Sequence, residues 1–190
     1  MEFHFKINRI IELEETSSTQ DVAKALAETS SLEDCVLVQA RRQSAGRGRY
    51  DRTWDAKDGG LYMSLLLNPG KRESNTADLS IKTGQAVALA LKELYDIKTK
   101  IKLPNDVLAL YGKEYKKISG ILIETAFSSG NLDWLIIGIG VNLNNRTNRS
   151  VNAVSVKQIT GEKTDIKDFR TVLLKHFSEK YLQWKMNNIN

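Results

Sequence analysis

Three β-like runs with almost nothing between them constrain this chain more than any other feature. Residues 100–110, 118–127 and 134–143 are rich in β-branched and other apolar side chains, and only short turns at Tyr111-Gly112 and Ser129-Gly130-Asn131 separate them. Strands joined by hairpin turns run antiparallel, because a parallel connection needs a crossover of a dozen or more residues. Two earlier runs, 35–39 and 61–67, read as further strands, the second preceded by Gly59-Gly60. Between the two groups Leu79, Thr83, Ala86, Val87, Ala90, Leu91 and Leu94 recur as one helical stripe over 75–94. Phe169, Val172, Leu173, His176, Phe177 and Trp184 keep the same register near the C-terminus. Ser18 and Asp21 predict a capping box that starts a first helix at the serine pair, with Val22, Ala25 and Leu26 on its apolar side. The expected fold class is α+β: a mixed, mostly antiparallel sheet with helices laid on one face.

At 190 residues the chain is long enough for one well-buried core and short for two ordinary domains, so residues 1–190 are read as a single domain. No apolar run has the length of a membrane span, and Met1-Glu2-Phe3-His4-Phe5-Lys6 lacks the apolar core of a signal peptide. The expected location is the cytoplasm. Cys35 is the only cysteine, which rules out an intramolecular disulfide and leaves it as packing at a strand entrance. A net charge of +5 raises the question of nucleic acid. The excess is modest, however, and neither zinc-finger spacing nor an RNA-recognition signature is present.

The chemistry begins at Gly46-Arg47-Gly48-Arg49-Tyr50-Asp51-Arg52-Thr53-Trp54. Glycine lets backbone N–H groups approach a ligand closely, and each guanidinium offers a planar fork of donors that matches phosphate or carboxylate. Arg41, Arg42, Arg47, Arg49 and Arg52 fall within twelve residues, answered inside that stretch by Asp51 alone. Such charge density predicts a bound anion, against the plainer reading of a solvated basic loop or an RNA-holding arginine-glycine segment.

Three further segments follow in order: Lys102-Leu103-Pro104-Asn105-Asp106-Val107, then Lys116-Lys117-Ile118-Ser119-Gly120-Ile121-Leu122-Ile123-Glu124, then Ile136-Ile137-Gly138-Ile139-Gly140-Val141-Asn142-Leu143-Asn144. Together with the arginine loop, and with Ser17-Ser18-Thr19-Gln20 ahead of it, they resemble the biotin protein ligases over residues 10 to 184. The resemblance implies the class II synthetase-like catalytic domain of biotin and lipoyl ligases. Its substrates would be ATP, biotin and a biotin carboxyl carrier protein, with Mg²⁺ as the accompanying ion. Many relatives carry a DNA-binding domain before this region or a small β-barrel after it. Neither is found within these residues, so a minimal form without repressor activity is expected. The resemblance is also compatible with a homodimer.

By that resemblance Ser18, Thr19 and Gln43 hydrogen-bond the biotin ring system, and Gly46, Arg47, Gly48 and Arg49 close over biotin and its adenylate. Trp54 forms an aromatic wall. Lys117 reaches the acyl-phosphate region, and Gly120 and Leu122 line the biotin pocket. Lys102, Asn105 and Asp106 handle the phosphates, with Asp106 as the Mg²⁺ contact. Gly138 and Gly140 floor the pocket, and Asn142 contacts adenine. Arg47, Arg49, Lys102 and Lys117 are the expected catalytic cations.

Simpler readings stand beside these roles. Pro104-Asn105-Asp106 has the composition of a turn, Gly138 and Gly140 could mark a β-bulge, and His176 fits a structural histidine. Three positions depart from the family pattern: Gln20 stands where asparagine is usual, Leu103 where tryptophan is, and Asp51 where glycine is. Asp51 is expected to pair with Arg49 or Arg52 before ligand arrives. Two other functions stay open, a lipoate ligase or octanoyl transferase of the same fold and a non-catalytic biotin or nucleotide binder.

Overall fold

A computed structural model of the chain describes residues 6–29, 35–50, 52–68, 75–128, 131–147 and 152–187. Among them the elements run β1 (Arg9–Thr16), α1 (Thr19–Thr29), β2 (Cys35–Gln43), β3 (Leu61–Leu67), α2 (Thr76–Tyr95), β4 (Thr99–Lys102), β5 (Asp106–Tyr111), β6 (Glu114–Ser128), β7 (Asn131–Val141), α3 (Val156–Thr160) and α4 (Ile166–Asn187). The strands form one sheet in the order β1-β2-β3-β7-β6-β5-β4. Only β1 and β2 pair in parallel; the remaining neighbours are antiparallel, as the hairpin connections require.

Side chains alternate across a strand, so the central strands are apolar at odd and even positions only if both faces are covered. Strand β7 is such a strand. Its odd residues Leu135, Ile137, Ile139 and Val141 join Leu37, Met63 and Leu65 in the core under α2 and α4, where Leu91, Phe169, Phe177 and Trp184 are buried. Its even residues Trp134 and Ile136 join Val36, Val38 and Leu66 around Ala23 of α1. The two long helices share one face as expected, while α1 lies on the other. That second face is covered over only part of its length, because the next even positions of β7 are Gly138 and Gly140.

Several local expectations change. Strand β1 was not anticipated: Glu12, Glu14 and Glu15 interrupt its apolar positions, as befits an exposed edge strand. The run 100–110 is two strands, since Leu103-Pro104-Asn105 forms the turn between β4 and β5. The capping box at Ser18 is absent. The Ser18 hydroxyl accepts from the Gln20 N–H at 3.3 Å, and the Asp21 carboxylate turns away to Arg47. A complete capping box occurs instead at Ser155 and Gln158, opening α3. Helix α2 is capped by Asn75, whose side chain accepts from the Asp78 N–H at 3.0 Å, and ends at Asp96 in the left-handed region. Cys35 is buried at the first position of β2, and His176 of α4, its side chain 12% exposed, pairs with Glu93 of α2 at 2.8 Å. No helix among the described residues is long and apolar enough to cross a membrane.

Candidate active site

On the α1 face the cavity exists because side chains are missing. Gly120 of β6 stands opposite Gly140 of β7, and Leu122 opposite Gly138. A Cβ at Gly140 would lie 2.7 Å from the Trp54 ring, and one at Gly120 would lie 2.9 Å from it. At Gly138 it would meet the Gln20 side-chain carbonyl at 2.9 Å. These separations are too short for any real side chain. The ladder between β6 and β7 shifts at Ala126 and Phe127, away from the glycines, so close approach and not a bulge explains Gly138 and Gly140. The space left open, about 580 Å³, is of the size that holds a small ligand. All of the site residues expected from the sequence line it except Gly46, which lies behind the arginine loop.

The β4–β5 hairpin closes one end of the cavity. Lys117 Nζ donates to Asp106 Oδ1 at 2.7 Å and sits 5.2 Å from the centre of the Trp54 ring. A register shift between β5 and β6 frees the Lys117 backbone to pair with Asn152 and Val154, at 2.9 Å each. Such irregularities re-aim a side chain. The Asn105 amide donates to the Ile121 carbonyl at 3.1 Å and pins the hairpin turn to β6. Pro104-Asn105-Asp106 is therefore both a turn and a wall of the cavity. Lys102 is exposed at the rim, and Leu103 is 67% exposed beside it.

The arginine stretch folds as a small hairpin of its own. Arg47 pairs with Thr53 in an isolated bridge, and the Trp54 N–H donates to the Gly46 carbonyl at 2.8 Å. A Cβ at Gly46 would meet the Trp54 carbonyl at 2.5 Å, which accounts for that glycine. The expectation that these arginines lack counter-charges is corrected by segments distant in sequence. Arg41 pairs with Glu14 at 3.1 Å and Asp58 at 2.7 Å, Arg42 with Glu15 at 2.7 Å, and Arg47 with Asp21 and Glu124 at 2.8 Å each. Burial opposes the Arg47 charge, yet the two carboxylates outweigh it and hold the guanidinium above its ordinary pKa. The Arg49 side chain meets Tyr50 through a 3.3 Å hydrogen bond and a cation–π approach of 5.0 Å, and no carboxylate pairs with it among the described residues. Arg52 is exposed. Both line the cavity. Asp51 lies outside the described residues, and its expected pairing with them.

Polar groups gather at the other end. The Thr19 N–H donates to Gln43 Oε1 at 2.7 Å, and Ser64 Oγ to Thr19 Oγ1 at 2.8 Å in the buried interior. Gln20 Nε2 donates to Glu124 Oε2 at 2.7 Å. Gln20 Oε1 and Trp54 Nε1 are buried with no hydrogen-bond partner among the described residues, and burying such groups unpaired is costly. On the far wall the Asn142 side-chain carbonyl accepts from Asn145 Nδ2 at 2.9 Å. Burial drives the Tyr62 phenol pKa upward, and its hydroxyl stays protonated to donate to the Lys57 carbonyl at 2.6 Å.

Asn145 and Glu124 had no role assigned from sequence. Glu124 closes a quoted motif, and its signal was there to read: with Gly120 and Leu122 it occupies alternate positions of β6, hence the cavity face. Asn145 carried no such signal, since it lies beyond the strand in a turn.

The model of the biotin/lipoate A/B protein ligase family matches residues 12–142, and the chain belongs to that family. It is 37% identical over 171 residues to the bifunctional ligase/repressor BirA of Bacillus subtilis strain 168, covering 87% of this chain and 51% of that protein. The chain thus spans about half of that relative's length. It is 34% identical over 174 residues to the biotin–[acetyl-CoA-carboxylase] ligase of Paracoccus denitrificans, covering 87% of this chain and 70% of that one. Among solved structures, the biotin protein ligase from Aquifex aeolicus in complex with biotin and ATP matches with a TM-score of 0.78 at 35% identity, over 95% of this chain and 73% of that chain.

Proposed function

We propose that this domain is an ATP-dependent biotin protein ligase. It joins the biotin carboxylate to AMP and passes the acyl group to a lysine of a biotin carboxyl carrier protein. The observation that carries this reading is the glycine-floored cavity under Trp54, polar at its Thr19–Gln43 end and cationic at its Lys117 end. Biotin has the matching polarity, a hydrogen-bonding ring at one end and a carboxylate at the other. The names of the relatives from Paracoccus and Aquifex support the same substrates.

In the first step a biotin carboxylate oxygen attacks the α-phosphorus of ATP, the bond to the bridging oxygen breaks, and pyrophosphate leaves. In the second a carrier lysine, as the free amine, attacks the acyl carbon, AMP leaves with its oxygen, and the nitrogen gives its surplus proton to solvent to leave a neutral amide. Neither step needs a nucleophile from the protein, so positioning and charge stabilisation are its contribution. Lys117 is set to face the negative charge that develops on the phosphorane, with Asp106 holding its ammonium in place. Arg49, exposed to the cavity and without a carboxylate partner among the described residues, supplies a second cation for the adenylate, and Lys102 at the rim a third for the departing pyrophosphate. Asn142, oriented by Asn145, meets the adenine. No group of three or more metal-ligating side chains occurs among the described residues. Asp106 fits a Mg²⁺ that arrives on the ATP phosphates, since that ion takes one or two carboxylates and keeps waters. Its charge would neutralise the phosphate oxygens. A cytoplasmic site of action goes with the use of ATP.

Biotin-dependent exchange of pyrophosphate into ATP tests the reading. Exchange should require biotin and Mg²⁺; exchange with lipoate or octanoate alone moves the domain to the lipoyl branch, and biotin binding without exchange makes it a binder.

A further inference from the structure

Glu124 has no part in the chemistry just described, yet its one carboxylate touches two residues of the cavity. Oε2 accepts from the Gln20 amide at 2.7 Å and Oε1 from the Arg47 guanidinium at 2.8 Å. Its side chain is 24% exposed, the more buried partner in the Arg47 pair, where charge-assisted hydrogen bonds are strongest. Asp21 takes the other branch of Arg47 at 2.8 Å. With both forks engaged, the Arg47 side chain fastens the loop to β6 and α1.

A carboxylate can only accept, which determines the Gln20 amide. Its NH₂ group must face Glu124, and its carbonyl oxygen then lies over Gly138 in the cavity wall, buried and without a partner among the described residues. The extra methylene of glutamine, relative to the usual asparagine, is accommodated because Gly138 has no Cβ. A buried acceptor beside an empty pocket calls for a donor, and the biotin ring carries ureido N–H groups.

We infer that Glu124 is a positioning residue for ring recognition: it turns Gln20 into an acceptor for a ring N–H and anchors the arginine loop through Arg47. This rests on the proposed ligase reading. It also has a location. Glu124 is seven residues along β6 from Lys117, roughly 20 Å at the rise of an extended strand. The groups it holds sit at the ring end, away from the carboxylate that reacts, and contribute equally before and during the reaction. Loss of such uniform binding raises KM and spares kcat.

The test is pyrophosphate exchange at saturating Mg-ATP with biotin varied, alongside thermal unfolding of each variant. Glu124→Gln should raise the KM for biotin at least tenfold with kcat within threefold, because an amide accepts from one partner but loses the charge that holds both. Glu124→Asp, which keeps the charge on a shorter arm, should recover part of that loss, and it carries the test if Glu124→Gln does not fold. An unchanged KM in both variants overturns the inference while leaving the ligase reading intact. A fall in kcat and in stability at unchanged KM assigns Glu124 to structure alone and overturns it as well. Wild-type protein that exchanges with other acids but not with biotin overturns both readings.

Discussion

The two faces of the sheet are made by the same strands, yet one is filled with large side chains and the other is partly vacant. Under α2 and α4 each inward position of β7 carries leucine, isoleucine or valine, and Phe169, Phe177 and Trp184 are buried against them. On the opposite face the same strand runs from Trp134 and Ile136, packed under α1, to Gly138, which meets only the Gln20 side chain from the first turn of α1, and Gly140, which lies under the Trp54 ring from a loop. The difference teaches where binding can be afforded in so small a domain: one complete core holds the sheet, and half of the other face is released from packing to become a pocket. Trp54, which covers the glycines from a loop, is a bulky group that no helix holds in place.

The comparison predicts that substitutions on the two faces separate stability from function. Phe177→Ala removes a fully buried ring stacked at 5.7 Å on Tyr181. It should cost about 3–5 kcal/mol of stability, read from denaturant unfolding, with the biotin KM of the folded fraction unchanged. A parallel loss of biotin affinity would mean that the two faces are coupled.

Lys117→Ala attacks the vacant face at its cationic end. It removes the 2.7 Å pair with Asp106 and the cation over Trp54. Loss of one donor aimed at developing charge costs on the order of 3 kcal/mol in the barrier. The exchange rate should fall by about 10²-fold while calorimetric biotin affinity changes only a few-fold. Equal losses in rate and affinity would demote Lys117 to a binding residue.

Gly140→Ala sharpens the comparison, because it adds one methyl where the core face would welcome it. That Cβ would stand 2.7 Å from the Trp54 ring, so the ring and its loop must shift. Overpacking of this kind costs about 1–3 kcal/mol in a rigid core; here the loop should yield, leaving stability within about 1 kcal/mol and weakening biotin binding roughly tenfold, or ~1.4 kcal/mol. Titration of biotin by tryptophan fluorescence, with unfolding in parallel, reads both. A large stability loss at unchanged affinity would make Trp54 a core residue and not a wall of the site.

Much of this was legible in the sequence for a physical reason: local patterns record local structure. The hairpins, the stripe of α2 and the glycines of β7 are written within a few residues, and the residues drawn from four ordered motifs meet in one cavity. What was hidden depends on distance. The arginine stretch contains one acid, Asp51, but its partners Glu14, Glu15, Asp21, Asp58 and Glu124 come from four other places in the chain. Asp21 looked like a helix cap because a serine stood three residues before it; Arg47, 26 residues on, competed for the same carboxylate and won. Strand β1 went unread although Ile11, Glu12, Leu13 and Glu14 alternate inward and outward, because the glutamates leave so short an apolar signal.

The smallest expected effect concerns how that edge strand is tied to the packed face. Arg170 of α4 reaches across to Glu12 and donates also to Gln39 of β2 at 2.8 Å, while its own side chain is only 14% exposed. The hydrogen bond and charge of Arg170 hold the Glu12 carboxyl below the usual carboxylate range. A carboxylate with a lowered folded-state pKa stabilises the fold above its unfolded pKa, and loses that contribution as pH falls through the folded value. Because Glu12 is half exposed, solvent screening keeps the contribution below about 1 kcal/mol. Glu12→Gln should therefore be less stable than wild type by a few tenths of a kcal/mol to about 1 kcal/mol at neutral pH. The gap should begin to narrow as pH falls below the unfolded value of roughly 4.3, and close only below the lowered folded value, where wild-type Glu12 is neutral in the folded protein too. Urea unfolding of both proteins at neutral pH and through the acid range reads the difference directly, with biotin affinity as the control. A gap that persists undiminished in acid would mean that Glu12 supports the edge through packing and not through its charge; a change in biotin affinity would show that the edge strand, too, communicates with the pocket.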